Sequence, residues 1–118
     1  MGDVTIFDKI LSGQIPADVV FEDDIVLAFH DVNPQAPIHV LVIPKKKVTG
    51  FSDLKSITGD DVGIFGEYLK RISLVAEKLG LDEGGYRIVF NQGKDGGQTV
   101  DYIHAHIIGG RNLSWPPG

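Results

Sequence analysis

The run Thr99-Val100-Asp101-Tyr102-Ile103-His104-Ala105-His106-Ile107-Ile108-Gly109-Gly110-Arg111 decides how this chain is read. β-Branched and apolar residues dominate it, which favours an extended strand, and in a strand alternate side chains share a face. Tyr102, His104, His106 and Ile108 therefore fall on one side, and Ile103, Ala105 and Ile107 on the other. A rise of about 3.3 Å per residue sets the roots of the two imidazoles roughly 7 Å apart. Rings at that spacing reach different atoms of one small anionic group. The polar face predicts a phosphate-handling pocket and the apolar face a core.

The segment just before this strand supports that reading. Gly93 to Thr99 contains three glycines, whose backbone amides approach an anion closely, and ends in the Thr99 hydroxyl. Such a loop alone is equally compatible with a flexible hairpin connection; followed at once by His-x-His, it delivers donors to the point the rings reach. Phosphoryl chemistry needs that combination of oxygen-directed donors, an in-line nucleophile and a proton for the leaving group. Zinc is the competing use of paired imidazoles. It requires a third and preferably a fourth ligand, and beyond His30, His39 and carboxylates such as Asp31 and Asp101 the sequence gives no sign of convergence. No metal site is expected.

Working outward, Thr5 to Ser12 carries Ile6, Phe7, Ile10 and Leu11 at helical spacing and stops at Gly13, predicting a short helix. Val19 to Glu22 and Ile25 to Asp31 flank Asp23-Asp24 and predict an antiparallel hairpin. Asn33-Pro34-Gln35-Ala36-Pro37 must be a loop, because its prolines lack donors. Ile38 to Pro44 is a strand carrying His39, and Lys45-Lys46-Lys47 reads as a solvated basic stretch. Asp60 to Leu79 has an apolar stripe of Val62, Phe65, Leu69, Ile72, Val75 or Ala76, and Leu79, predicting the one long helix, with Thr58 as its cap and Gly80 at its stop. Tyr86 to Asn91 and Ile103 to Gly109 are the last strands. The expected fold is α+β: a five-stranded, mainly antiparallel sheet with one long helix on one face and one short N-terminal helix, in a single domain over residues 1–118.

Composition narrows the partners. The 118 residues carry 11 Lys and Arg against 16 Asp and Glu, a net charge of −5, so the long-range field repels nucleic acid and any phosphate must be held locally. There is no cysteine, which excludes a disulfide framework and thiolate metal clusters. No uncharged run approaches the roughly 18 residues of a membrane span, and Gly2 lacks the hydroxyl four residues on that myristoylation requires, since Ile6 stands there. A cytoplasmic location, also nuclear in a eukaryote, is the default expectation.

Tyr102-Ile103-His104-Ala105-His106-Ile107-Ile108 is similar to the histidine-triad signature, His-φ-His-φ-His-φ-φ with φ apolar. Thr5-Ile6-Phe7-Asp8-Lys9-Ile10, Ile15-Pro16-Ala17, Ala28-Phe29-His30-Asp31, Pro34 to Lys46 and Trp115-Pro116-Pro117-Gly118 resemble the Hint branch of that family. The resemblance implies a purine nucleoside phosphoramidase that hydrolyses the P–N bond of AMP joined to an amine, with no cofactor. It implies His104 as the nucleophile that becomes nucleotidylated, His106 as a hydrogen-bond donor to the phosphate, Thr99 facing the leaving atom and His39 in a proton relay. Asp31 would hold the ribose hydroxyls, Phe7, Ile15 and Val32 line the base pocket, and Asn91, Gly97 and Gln98 lie around the phosphate. A homodimer is implied too, with two sheets joined into ten strands and Trp115 close to the partner's site. The chain departs from the signature at its first position, where Tyr102 replaces His. Tyrosine is not a ready proton carrier near neutral pH, so the alternative reading is a nucleotide-binding or scaffolding module with weak catalysis.

Overall fold

The computed structural model describes residues 3–118; Met1 and Gly2, on which the myristoylation reading turns, lie outside them. The elements run α1 (Ile6–Leu11), β1 (Val19–Glu22), β2 (Val26–His30), β3 (Ile38–Pro44), a 3₁₀ helix over Phe51–Ser56, α2 (Asp60–Lys78), β4 (Tyr86–Val89) and β5 (Ala105–Gly109). The strands form a five-stranded sheet in the order β1-β2-β3-β5-β4. Every neighbouring pair is antiparallel. The α+β fold expected from the sequence is therefore present, and the 3₁₀ helix is the element that the sequence reading missed.

Local chemistry explains where the elements start and stop. Thr5 caps α1 through a capping box: its hydroxyl accepts from the Asp8 amide at 3.3 Å, and the Asp8 carboxylate accepts from the Thr5 amide at 2.7 Å. Gly13 follows with φ +81°, a left-handed turn that glycine adopts without penalty. In the β1–β2 hairpin the Asp23 carboxylate accepts from the amides of Ile25 and Val26, both at 2.9 Å, so a side chain closes the turn. The long helix does not use Thr58 as its cap. Gly59 takes that place without a side-chain hydrogen bond, and Asp60 and Asp61 supply negative charge in the first turn.

The stripe of α2 is also rotated from the expected one. Phe65, Tyr68, Ile72, Val75 and Ala76 are buried, whereas Val62 and Leu69 are more than half exposed. Tyr68 belongs to the buried face because its hydroxyl donates to the Val42 carbonyl at 2.7 Å, which satisfies its polar end inside the core.

The sheet separates two apolar clusters. Under α2 lie Val26, Ala28, Val40, Val42, Ile103, Ala105 and Ile107 with the helix residues, as the alternation around His104 predicts for the odd-numbered face. On the other side, under α1, a smaller cluster joins Phe7, Leu27, Phe29, Leu41, Ile43 and Tyr102. β5 begins at Ala105, later than the Ile103 expected. Its ladder with β3 starts at the Val42–Ala105 pair, and the Ile103 amide instead donates to the Val48 carbonyl at 2.7 Å. Pro44 ends β3 and has no N–H to extend the ladder. His104 thus sits at the mouth of the sheet, clear of the ladder, yet pinned by an amide bond on the residue before it.

Candidate active site

Among the described residues, two polar ones are buried, His39 and His104. Nδ1 of His104 lies 2.7 Å from the carbonyl oxygen of Tyr102. A carbonyl only accepts, so Nδ1 carries the proton and Nε2 of the neutral ring is left with its lone pair. Phe7 from α1 meets the ring edge-on at 5.0 Å between centroids, and the His106 ring lies at the same separation. Burial pushes the His104 pKa below its ordinary value, against the opposing pull of the Tyr102 carbonyl and of Asp31. The ring is neutral at pH 7.

The protons on the second pair of rings follow by the same reasoning. The backbone amide of Gln35 donates to Nδ1 of His39 at 3.0 Å. That nitrogen is therefore bare, and the His39 proton sits on Nε2, which lies 2.9 Å from Nδ1 of His106 and 3.4 Å from an Asp31 carboxylate oxygen. His106 accepts at Nδ1 and so carries its own proton on Nε2. Among the described residues, that Nε2 is the buried side-chain polar atom without a hydrogen-bond partner. An unsatisfied buried donor is costly, and an anionic oxygen placed there removes the cost. The His106 pKa is pushed down to about 4, first by burial and then by the neighbouring His104 and His39 rings.

A cavity of about 320 Å³ adjoins these rings, lined by apolar residues of α1 and the following turn, by Phe29 and Leu41, and by Asp31 and Val32. Its shared walls connect it to the imidazoles: Asp31 reaches His39, Phe7 touches His104, and Leu41 pairs in register with His106. Phe7, Ile15, Asp31 and Val32 are therefore brought together as the sequence reading grouped them. A larger concavity of about 700 Å³ lies at the other end of the sheet, around Gly80 to Arg87 and Gly110 to Leu113. Neither cavity is lined by His39, His104 or His106, but only the smaller one has wall residues, Phe7, Asp31 and Leu41, that touch or pair with those rings.

Other expected residues lie outside that cavity. His39 packs against His106, with a centroid separation of 5.2 Å, and stands one ring removed from His104. The glycine loop turns its amides inward: Gly93 donates to the Gln98 side chain at 2.9 Å, the Gln98 amide to Gly93 at 2.9 Å, and Gly97 to Lys94 at 3.1 Å. The Gln98 side-chain amide also donates to the Thr49 and Val100 carbonyls. Gln98 is thus a staple of the loop. Thr99 and Gly97 are exposed, and Asn91 is half-buried. Trp115 is 80% exposed, with the Arg87 guanidinium 5.9 Å from its ring.

Tyr102 is fully buried and its hydroxyl donates to the Pro44 carbonyl. Burial, reinforced by the Asp8 charge, drives its pKa far above the ordinary tyrosine value, so the hydroxyl keeps its proton throughout the physiological range and relays none. What position 102 gives His104 is its backbone carbonyl, which a change of side chain leaves in place. Lys47, read from sequence as solvated, proves otherwise. Its ammonium donates to Asp8 at 2.9 Å and lies 5.6 Å from the Tyr102 ring, tying α1 to the wall of the site. No local pattern announced this, since Asp8 and Lys47 are distant in sequence.

One ring nitrogen from each of His39 and His106 and an Asp31 oxygen lie within 4.8 Å of one another, the donor set a small cation would use. The set does not fit a resident zinc ion. The facing nitrogens are joined through a proton at 2.9 Å, whereas two nitrogens about 2.0–2.1 Å from one tetrahedral zinc stand roughly 3.3 Å apart with no proton between them.

The HIT domain family model matches residues 12–113. The chain is 52% identical to the adenylylsulfatase HINT1 of Arabidopsis thaliana, covering 97% of this chain and 76% of that protein. It is 51% identical to a 14 kDa zinc-binding protein of Brassica juncea, covering 97% and 99% of the two. Among solved structures, a HIT family hydrolase from Legionella pneumophila superposes with a TM-score of 0.87 at 49% identity, over 96% of this chain and 98% of that one.

Proposed function

The chain belongs to the HIT domain family, and from that premise we propose that it is a nucleotide-binding hydrolase acting on purine nucleoside phosphoramidates. The observation that carries the proposal is the Nδ1–H bond from His104 to the Tyr102 carbonyl, which leaves the Nε2 lone pair free on a ring that packs against Phe7, a wall residue of the 320 Å³ cavity. Attack by Nε2 on the α-phosphorus forms an N–P bond and breaks the bond to the amine nitrogen, which leaves with its electron pair and takes up a proton. Water then attacks the phosphorus and releases Nε2, giving the nucleoside monophosphate and restoring the ring. During attack the ring gains positive charge, which the Tyr102 carbonyl stabilises through Nδ1–H. His106 Nε2–H meets a non-bridging phosphate oxygen. Asp31 holds the ribose hydroxyls, the apolar cavity takes the base, and Thr99 faces the leaving nitrogen.

Because relatives include an adenylylsulfatase, a second reading keeps the same nucleophile and expels sulfate, which leaves as an anion and needs no proton. Rates on an adenosine phosphoramidate and on adenylyl sulfate rank the two. The test of the shared step is rapid quenching followed by intact mass measurement: a transient nucleotidyl adduct is expected on His104 and absent in His104→Ala. A binding module without catalysis would show AMP affinity and no adduct with either substrate.

We infer further that two copies join along β4. That strand is an edge of the sheet, it leaves Tyr86 and Ile88 more than one-third exposed, and an unpaired apolar edge invites pairing. An apolar groove of about 330 Å³ between the 3₁₀ helix, α2 and Phe90 would extend the same interface. Sedimentation at micromolar concentration distinguishes dimer from monomer.

A further inference from the structure

The protons in the site depend on groups outside it. Gln35 lies between Pro34 and Pro37 in the loop joining β2 to β3, and this loop supplies two amides to the polar residues. Asn33 N–H donates to an Asp31 carboxylate oxygen at 2.8 Å, and Gln35 N–H donates to His39 Nδ1 at 3.0 Å. The loop is in turn gripped from the end of β5. Arg111 places Nε at 3.3 Å and Nη2 at 3.0 Å from the single carbonyl of Gln35. Gly110 makes the approach possible: its φ is +90°, and a Cβ there would stand 3.0 Å from a Pro37 side-chain carbon. Arg111 is exposed and, among the described residues, forms no ion pair with a carboxylate.

We propose that Arg111 is a positioning residue which, by holding the Gln35 carbonyl, restrains the backbone of Gln35 so that the N–H on the other side of its Cα stays on His39 Nδ1, which fixes the tautomers of His39 and His106 and so keeps a proton on His106 Nε2. A backbone N–H at His39 Nδ1 excludes a proton there, whether from the other neutral tautomer or from the imidazolium. The His39 proton is held on Nε2 and given to His106 Nδ1. His106 is left with a donor at Nε2, the orientation that suits an anion. With the clamp released, His39 takes a proton at Nδ1, its bare Nε2 then accepts from His106 Nδ1–H, and His106 turns a lone pair towards the phosphate. Lone pair against oxyanion is repulsive. The deduction about protons stands on hydrogen bonds alone; its consequence for turnover rests on the function proposed above.

The test is ¹⁵N NMR of the full chain with labelled histidine, at neutral pH and without ligand. Four histidines make assignment tractable, and exposed His30 serves as the reference for an unconstrained ring. In the wild type His39 and His106 are expected as Nε2–H tautomers and His104 as Nδ1–H. Arg111→Ala should give His39 the mixed, averaged signature of His30, and Arg111→Lys, which keeps one donor, should restore much of the locked form. In parallel, AMP affinity and kcat/KM on a phosphoramidate should fall about 10- to 100-fold in Arg111→Ala, as expected for losing a hydrogen bond to a charged group, with little change in melting temperature. A locked His39 in Arg111→Ala, or a wild-type His39 carrying its proton on Nδ1, overturns the proposal. The expected tautomers without hydrolysis of any phosphoramidate would leave the clamp standing and remove the function instead.

Discussion

The two faces of the sheet are built from one alternating sequence and do different work. Beneath α2 the odd-numbered residues Ile103, Ala105 and Ile107 join a closed cluster whose polar member, Tyr68, is satisfied by a strand carbonyl. Beneath α1 the even-numbered residues meet a smaller cluster beside an open cavity, and there His106 keeps a buried donor unpaired. Stability and chemistry are thereby placed on opposite sides of the same few residues. The unsatisfied donor is affordable because the other face is complete.

That contrast can be broken most sharply at its ends. His104→Ala should lower turnover at least about 10³-fold, as loss of a nucleophile does, and, because it strands the buried Tyr102 carbonyl, should cost only about 1–3 kcal/mol of stability; steady-state kinetics and calorimetry on one sample test both halves. Ile107→Ala, on the fully buried face, should instead cost about 2–5 kcal/mol of stability, read from urea denaturation, with the surviving folded fraction retaining its kcat. Tyr102→Phe strands the Pro44 carbonyl and should cost about 1–3 kcal/mol. Tyr102→His tests the side chain's catalytic worth. Because the His104 ring is oriented by the backbone of residue 102, turnover is expected to change less than about tenfold, where general acid–base assistance would give about 10² to 10⁴.

The smallest effect is that of pH. Both site imidazoles are held below 6.5 in the fold, His106 at about 4. Between those values the unfolded chain binds protons that the native rings refuse, so stability is full above pH 7 and declines as the pH falls from about 6.5 towards 4. Turnover should likewise hold to lower pH than a free imidazole allows. An acid limb at or above 6.5 would mean that the rings are hydrated in solution.

Much of the fold was legible because it depends on short-range pattern. The period of two around His104 assigned both faces of β5, and the helical spacing of Ile6, Phe7, Ile10 and Leu11 with the stop at Gly13 bounded α1. Strand ends were less legible: β5 starts late because Pro44 on the neighbouring strand stops the ladder, a fact belonging to a residue 61 positions from Ala105 in the chain. The α2 stripe was misread at Val62 and Leu69 because hydrophobicity does not say which of two apolar faces the sheet will cover. Among the site residues, Phe7, Ile15 and Val32, expected around the base, and Asp31, expected at the ribose, were named on family resemblance, and all four line one cavity.

By itself the sequence determined that two imidazoles and an apolar wall would share a strand, since side-chain alternation is a property of the extended backbone. Only the tertiary structure decided which nitrogen of each ring carries a proton, because that is set by carbonyls and amides of Tyr102 and Gln35, groups that every residue possesses and no sequence pattern distinguishes.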